Sequence, residues 1–214
     1  MRIFNADSPL MTALSRFADL AVLNILAILC CLPVITAGAA LTGMHYVLLK
    51  MVRNEEGYIA RSFFKSFREN FRQATAIWLI FLAFSGLFFI DMTLTGKGSA
   101  SGLPSVFRLV LIAFAVYAYG IWLYVFPLLA RFQNTIRGTL KNAAVLASLA
   151  LPRTLAMGVI SVLPAAVIWF FPPALPVFLF LGFTGPGILC AHLYSPVFKK
   201  LEGKIDGPDD GFSS

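Results

Sequence analysis

Strongly polar side chains are rare inside the apolar stretches of this 214-residue chain, and any chemistry has to be done by those few. Asp19 and Asn24 lie in the first apolar run, His45 and Tyr46 in the second, Asp91 near the end of the third, and His192 near the end of the last. An unpaired ionisable group in hydrocarbon costs several kcal/mol, so each of these implies a partner or a task. Asp19 follows Arg16 by one helical turn and is expected to form an interfacial ion pair with it; Asp91 is expected to reach outer headgroups or Lys97. His45 sits deeper. Its imidazole either packs and hydrogen-bonds between helices or serves as a ligand group or proton relay. A membrane enzyme would need Asp19, His45 and His192 to converge in one wet cavity, and helical spacing alone does not decide whether they meet.

Standard catalytic patterns are missing from the sequence. There is no G-x-S-x-G, no H-E-x-x-H, and only two histidines occur. Gly96-Lys97-Gly98-Ser99 lacks the upstream glycine of a phosphate loop, because Asp91 stands there. Glu55 and Glu56 are adjacent, point apart, and are expected to offset Arg53. Cys30, Cys31 and Cys190 show no C-x-x-C spacing and lie in apolar segments, where cysteine behaves as a small hydrophobe. No catalytic residue, metal or cofactor is expected.

The break Pro33-Val34-Ile35-Thr36-Ala37-Gly38-Ala39-Ala40-Leu41-Thr42-Gly43 says more than any single polar group. Proline ends the first helix, and Gly38, Ala39, Ala40 and Gly43 leave the second with a nearly bare face that suits close helix packing. The free amides at such a helix start, with the Thr36 hydroxyl, could equally hold an anionic or hydroxyl-rich ligand. Thr36, Gly38, His45, Tyr46 and Asn24 form the weak candidate ligand set. Gly182, Gly185, Pro186 and Gly187 mark a kink in the last helix.

The elements that carry these residues follow from composition. With 59% hydrophobic and 13% charged residues, the chain is far from the roughly 25% charged of soluble domains. An all-α, polytopic membrane domain over 1–194 is expected, with about six spans at 14–32, 36–53, 74–94, 106–130, 155–171 and 174–194. The second is short and is read either as a crossing or as a re-entrant segment. Cleavage of the first run after Ala37-Gly38-Ala39 is disfavoured by its long start, which carries Asp7 and Asp19. Of the 17 Lys and Arg, all but Lys97 and Arg108 fall on one side of this arrangement. That asymmetry selects a plasma-membrane protein with both termini cytoplasmic, and it explains the net charge of +7 without nucleic acid. The tail from 195 is expected to be cytoplasmic and disordered beyond Ile205.

Between the second and third spans an amphipathic cytoplasmic helix is expected. At 100° per residue, Ile59, Phe63, Phe64, Phe67 and Phe71 share one arc, and Arg61, Lys65, Arg68 and Arg72 the opposite one. Such a helix would lie on the inner membrane surface, phenyl rings down, with its cations on anionic headgroups or on a partner. The stretch 131–153 has a blurred version of the same plan, with Ile136, Leu140, Ala143, Ala147 and Leu151 on one face, so a duplicated three-helix unit is one possibility.

Two stretches, 32–46 from Leu32 to Tyr46 and 62–75 from Ser62 to Thr75, give the chain its resemblance to the YesL-like family of small bacterial membrane proteins, a group of unknown function. The resemblance is strong to Leu94 and looser beyond. It implies a similar size and span count, and an auxiliary role in sugar import, because members are often encoded near carbohydrate uptake and polysaccharide-degradation systems. It supplies no catalytic residue. The expected function is that of a non-catalytic accessory or partner subunit of a transport complex; the alternative is an autonomous small-solute transporter with a path lined by Asn24, His45, Tyr46 and Thr36.

Overall fold

A computed structural model describes residues 9–55, 57–96, 105–132 and 134–205. Its regular elements are α1 (Pro9–Cys31), α2 (Ala37–Val52), α3 (Ile59–Gly96), α4 (Ser105–Arg131), α5 (Ile136–Leu149), α6 (Leu151–Phe170), α7 (Leu175–Leu181) and α8 (Thr184–Ile205), with 3-10 turns at Val34–Thr36 and Pro172–Ala174. No strand occurs among the described residues. Five helices are long and apolar enough to cross a membrane: α1, α2 with its preceding turn, α3, α4 and α6. The pair α7 and α8, bent by 55° at a short break, makes a sixth if it counts as one span.

The short second helix lies at the centre of the bundle. Its most apolar window is 56% buried inside the protein, against 6–22% for the other single-helix candidates. The bare face explains this. A Cβ added at Gly38 would lie 2.5 Å from the Ala74 carbonyl oxygen and 2.6 Å from Trp78 Cβ; one at Gly43 would lie 3.0 Å from the Phe63 carbonyl oxygen. Only glycine lets α3 come so close.

Helix α3 is one uninterrupted helix of 38 residues, and the expected boundary between a surface helix and a span near Gln73 does not exist. Of its Phe face, Phe63 is fully buried against Gly43, Ile59, Phe67 and Phe71 pack partly buried beside it, and Phe64 stays exposed. Bundle packing thus takes part of the face that amphipathicity assigned to the membrane.

In the stretch 131–153 the expected face also turns into the protein, with Ile136, Leu140, Ala143 and Ala147 against the core. Helix α5 runs back along α4, so that Tyr117, fourteen residues before Arg131, places its hydroxyl 3.2 Å from Ser148 Oγ. Its buried face is Thr139, Ala143, Leu146 and Ala147, whereas Leu151 is exposed. At the other end of the chain, α8 continues through Ser195 to Ile205 without a change of structure. The expected disordered tail, the Gly96-Lys97-Gly98-Ser99 turn beyond Gly96, Asp7 and Glu56 lie outside the described residues.

Candidate functional site

Asn24 bridges the break between α7 and α8. Its side chain is fully buried. Nδ2 donates to the carbonyl oxygens of Phe178 and Leu179 at 3.2 and 2.8 Å, and Oδ1 accepts from the backbone N–H of Phe183 and Thr184 at 2.9 and 3.1 Å. Thr184 Oγ1 also donates to the Leu20 carbonyl at 3.1 Å. Helix ends leave such carbonyls and amides short of intrahelical partners; one amide side chain from α1 bonds four of them, of which the Phe178 carbonyl also accepts the Gly182 N–H at 2.7 Å. Asn24 has no capacity left for a ligand. The kink expected at Gly182 is present, and it is a sealed joint.

Thr36 and Gly38 leave the candidate ligand set for comparable reasons. The Thr36 hydroxyl lies 2.6 Å from the Cys30 carbonyl and 2.8 Å from that of Pro33, so it closes the end of α1. Gly38 is filled by Ala74 and Trp78. Tyr46 is half-buried, with Lys50 Nζ 6.0 Å from its ring centre. The five residues thus occupy separate places.

His45 does line a cavity. A space of about 320 Å³ opens at the α1–α2–α3 corner among Arg16, Asp19, Lys50, Asn54 and Glu55, and a larger one of about 510 Å³ lies between α2, α3, α4, α6 and α8. The larger is walled by Trp78, Trp122 and Phe126, with His45, Tyr119 and Ser161 as its polar members. Trp78 and Trp122 are 5.1 Å apart centre to centre, and Trp122 meets Phe126 edge-on at 4.8 Å. His45 Nδ1 lies 3.1 Å from the buried Tyr194 hydroxyl, and its other ring nitrogen has no hydrogen-bond partner among the described residues. Tyr119 and Ser161 hydroxyls pair at 2.6 Å. The α7–α8 joint borders the same cavity through Gly182, Phe183 and Pro186.

The other ionisable groups are elsewhere. Arg16 does not pair with Asp19; it donates to Asn54 Oδ1 at 2.6 Å, tying α1 to the loop after α2. Asn54 takes φ 55°, a conformation asparagine tolerates better than most residues. Asp19 lines the smaller cavity and His192 is exposed on α8, so neither shares the His45 cavity. No metal-binding cluster of His, Cys, Asp or Glu occurs among the described residues.

At the same end as Arg16, Glu202 of α8 clamps two helices. Its carboxylate accepts from both Arg53 terminal nitrogens at 3.1 and 3.0 Å and from Arg131 Nε at 2.6 Å. Arg53 follows α2 and Arg131 ends α4, so three helix ends meet on one acid. Arg61, Lys65, Arg68 and Arg72 are all exposed along α3, as is Phe64, at 38%.

Glu202 and the cavity aromatics were missed by sequence reasoning. A lone acid beside Lys199 and Lys200 looks like solvated tail, and Arg53, expected to be offset by Glu55 and Glu56, bonds Glu202 instead. Trp78 and Trp122 belong to different helices, and no spacing rule relates them.

Five to six helices long and apolar enough to cross a membrane, packed into one all-helical bundle, are the composition of a multi-pass membrane protein. A family profile described as "Protein of unknown function, DUF624" matches residues 20–92, a span that contains both stretches carrying the family resemblance. The chain is similar to that family from α1 through most of α3. No curated protein and no solved structure matches the chain.

Proposed function

We propose that this chain is a six-span plasma-membrane protein, with both termini cytoplasmic, that works without catalysis as an accessory subunit of a transport complex and makes its contact through the basic row of α3. The observation that carries the proposal is the division of labour on that helix. Phe63 is locked against Gly43 while Arg61, Lys65, Arg68 and Arg72 stay exposed on the other side. Four cations held on a helix anchored to the core form a preorganised surface for an acidic partner or anionic headgroups, each contributing on the order of 1 kcal/mol. The inner placement rests on the segregation of Lys and Arg, and the link to carbohydrate uptake rests on the family resemblance.

The test changes all four cations to Glu. Capture from native membranes should then lose its specific co-purifying membrane proteins, and growth on oligosaccharides should slow. Unchanged capture and growth would remove the row from any interaction role. A second reading, an autonomous transporter of small solutes, is favoured by one feature: the cavity beside the broken span, an arrangement typical of transporter sites. Purified protein in liposomes that moves solute unaided would select it.

A further inference from the structure

The 510 Å³ cavity is large enough for a small ligand, and its lining restricts what that ligand can be. No Asp, Glu, Lys or Arg lines it among the described residues. A charged ligand would therefore enter an apolar site with no counter-charge, at a cost of several kcal/mol. Three aromatic rings, Trp78, Trp122 and Phe126, make one wall. At the edge, Val34 and Phe183 remain exposed, so the cavity opens to the outside of the bundle past apolar side chains. Two polar groups have unused capacity: the second ring nitrogen of His45 and the indole N–H of Trp122, neither of which has a hydrogen-bond partner among the described residues. The Tyr119–Ser161 pair satisfies itself.

We propose that this cavity binds a neutral amphiphile drawn from the membrane, its hydroxyl headgroup hydrogen-bonded to His45 and its apolar body laid against Trp78, Trp122 and Phe126. A hydroxyl suits either tautomer. If Tyr194 donates to Nδ1, His45 offers Nε2–H to the ligand; if Nδ1–H donates to Tyr194, Nε2 accepts the ligand's proton. A carbonyl would serve only the first. The site is independent of the basic row on α3, which lies on another surface.

Tryptophan fluorescence reads occupancy directly, because two of the three tryptophans line the cavity and the third, Trp169, is 83% exposed. The experiment uses full-length Trp169→Phe protein in detergent micelles, titrated with 9,10-dibromostearyl alcohol, whose bromines quench indole on contact. The expected result is saturable quenching at low mole fraction, reversed by unbrominated stearyl alcohol. The same protein titrated with 9,10-dibromostearate should show only the linear quenching of bulk detergent. His45→Phe should raise the half-saturating fraction about tenfold, the loss of one good hydrogen bond, and His45→Gln should restore much of it. Ser161→Phe, which fills the space, should abolish saturation; if it does not fold, the two His45 variants decide the matter. Linear quenching by the alcohol, equal quenching by the carboxylate, or indifference to both His45 variants would overturn the proposal.

Discussion

Asn24 Oδ1 accepts the backbone N–H of Thr184 at 3.1 Å, joining the middle of α1 to the first turn of α8 across 160 residues of chain. The same oxygen and its amide partner bond three more backbone groups at the α7–α8 break. Replacing Asn24 by Leu keeps the branched shape of the side chain, adds some volume and removes every one of these bonds. Buried backbone groups left unpaired cost about 1–3 kcal/mol each when isolated, partly recovered by relaxation. We expect Asn24→Leu to destabilise the folded bundle by about 2–4 kcal/mol, read as a fall in Tm in micelles. Asn24→Asp, which keeps the acceptor and loses the donor, should fall further than an exposed substitution such as Arg68→Gln. A Tm for Asn24→Leu equal to wild type would mean that the joint needs no latch.

Glycines in α2 and α3 should respond oppositely to the same substitution. Gly38→Ala pushes a methyl group against a backbone carbonyl that has nowhere to move, and overpacking of this kind costs about 1–3 kcal/mol or more. Gly86 has nothing within 4 Å of the added Cβ. Gly86→Ala should therefore be neutral or stabilising by about 0.5–1 kcal/mol from helix propensity. Thermal unfolding of the two variants side by side checks the placement of α2 at the centre.

What hydropathy makes legible here, and what it hides, is clearest in the Phe/Arg pattern of residues 59–72. Alternating faces announce an amphipathic helix, but a row of phenyl rings has the same period whether it meets lipid or protein. The deciding partner, Gly43, lies sixteen residues before Ile59, and its bare surface was read as a packing site without the helix that fills it. Asn24 was legible as costly and buried, but not as a latch, since the break it serves is remote in sequence. Apolar length, by contrast, is a local property, and the first five spans it outlines fall on helices while the sixth appears as α7 and α8 bent by 55°; the doubtful second one appears as the most enclosed.

The Glu202 clamp predicts a graded response to salt. Arg53 has a side chain only 9% exposed, against 35% for Arg131. The Arg53 contact should persist in 0.5 M salt while the Arg131 contact is screened. Glu202→Gln should destabilise by about 1–3 kcal/mol, below the figure for a fully buried pair because Glu202 is 23% exposed. Arg131→Gln should cost about 0–1 kcal/mol. Limited proteolysis of α8 should accelerate for Glu202→Gln and change little for Arg131→Gln; equal rates would mean that Arg53 does not depend on the acid.

Single-cysteine accessibility tests the account at its root. On a background with Cys30, Cys31 and Cys190 changed to Ala, a cysteine replacing Arg68 should react with a membrane-impermeant maleimide only after the cells are opened. One replacing Phe171, exposed at the turn between α6 and α7, should react in intact cells. Labelling of position 68 from outside, or of position 171 only from within, would contradict the assignment of the basic end to the cytoplasm and with it the contact surface proposed on α3.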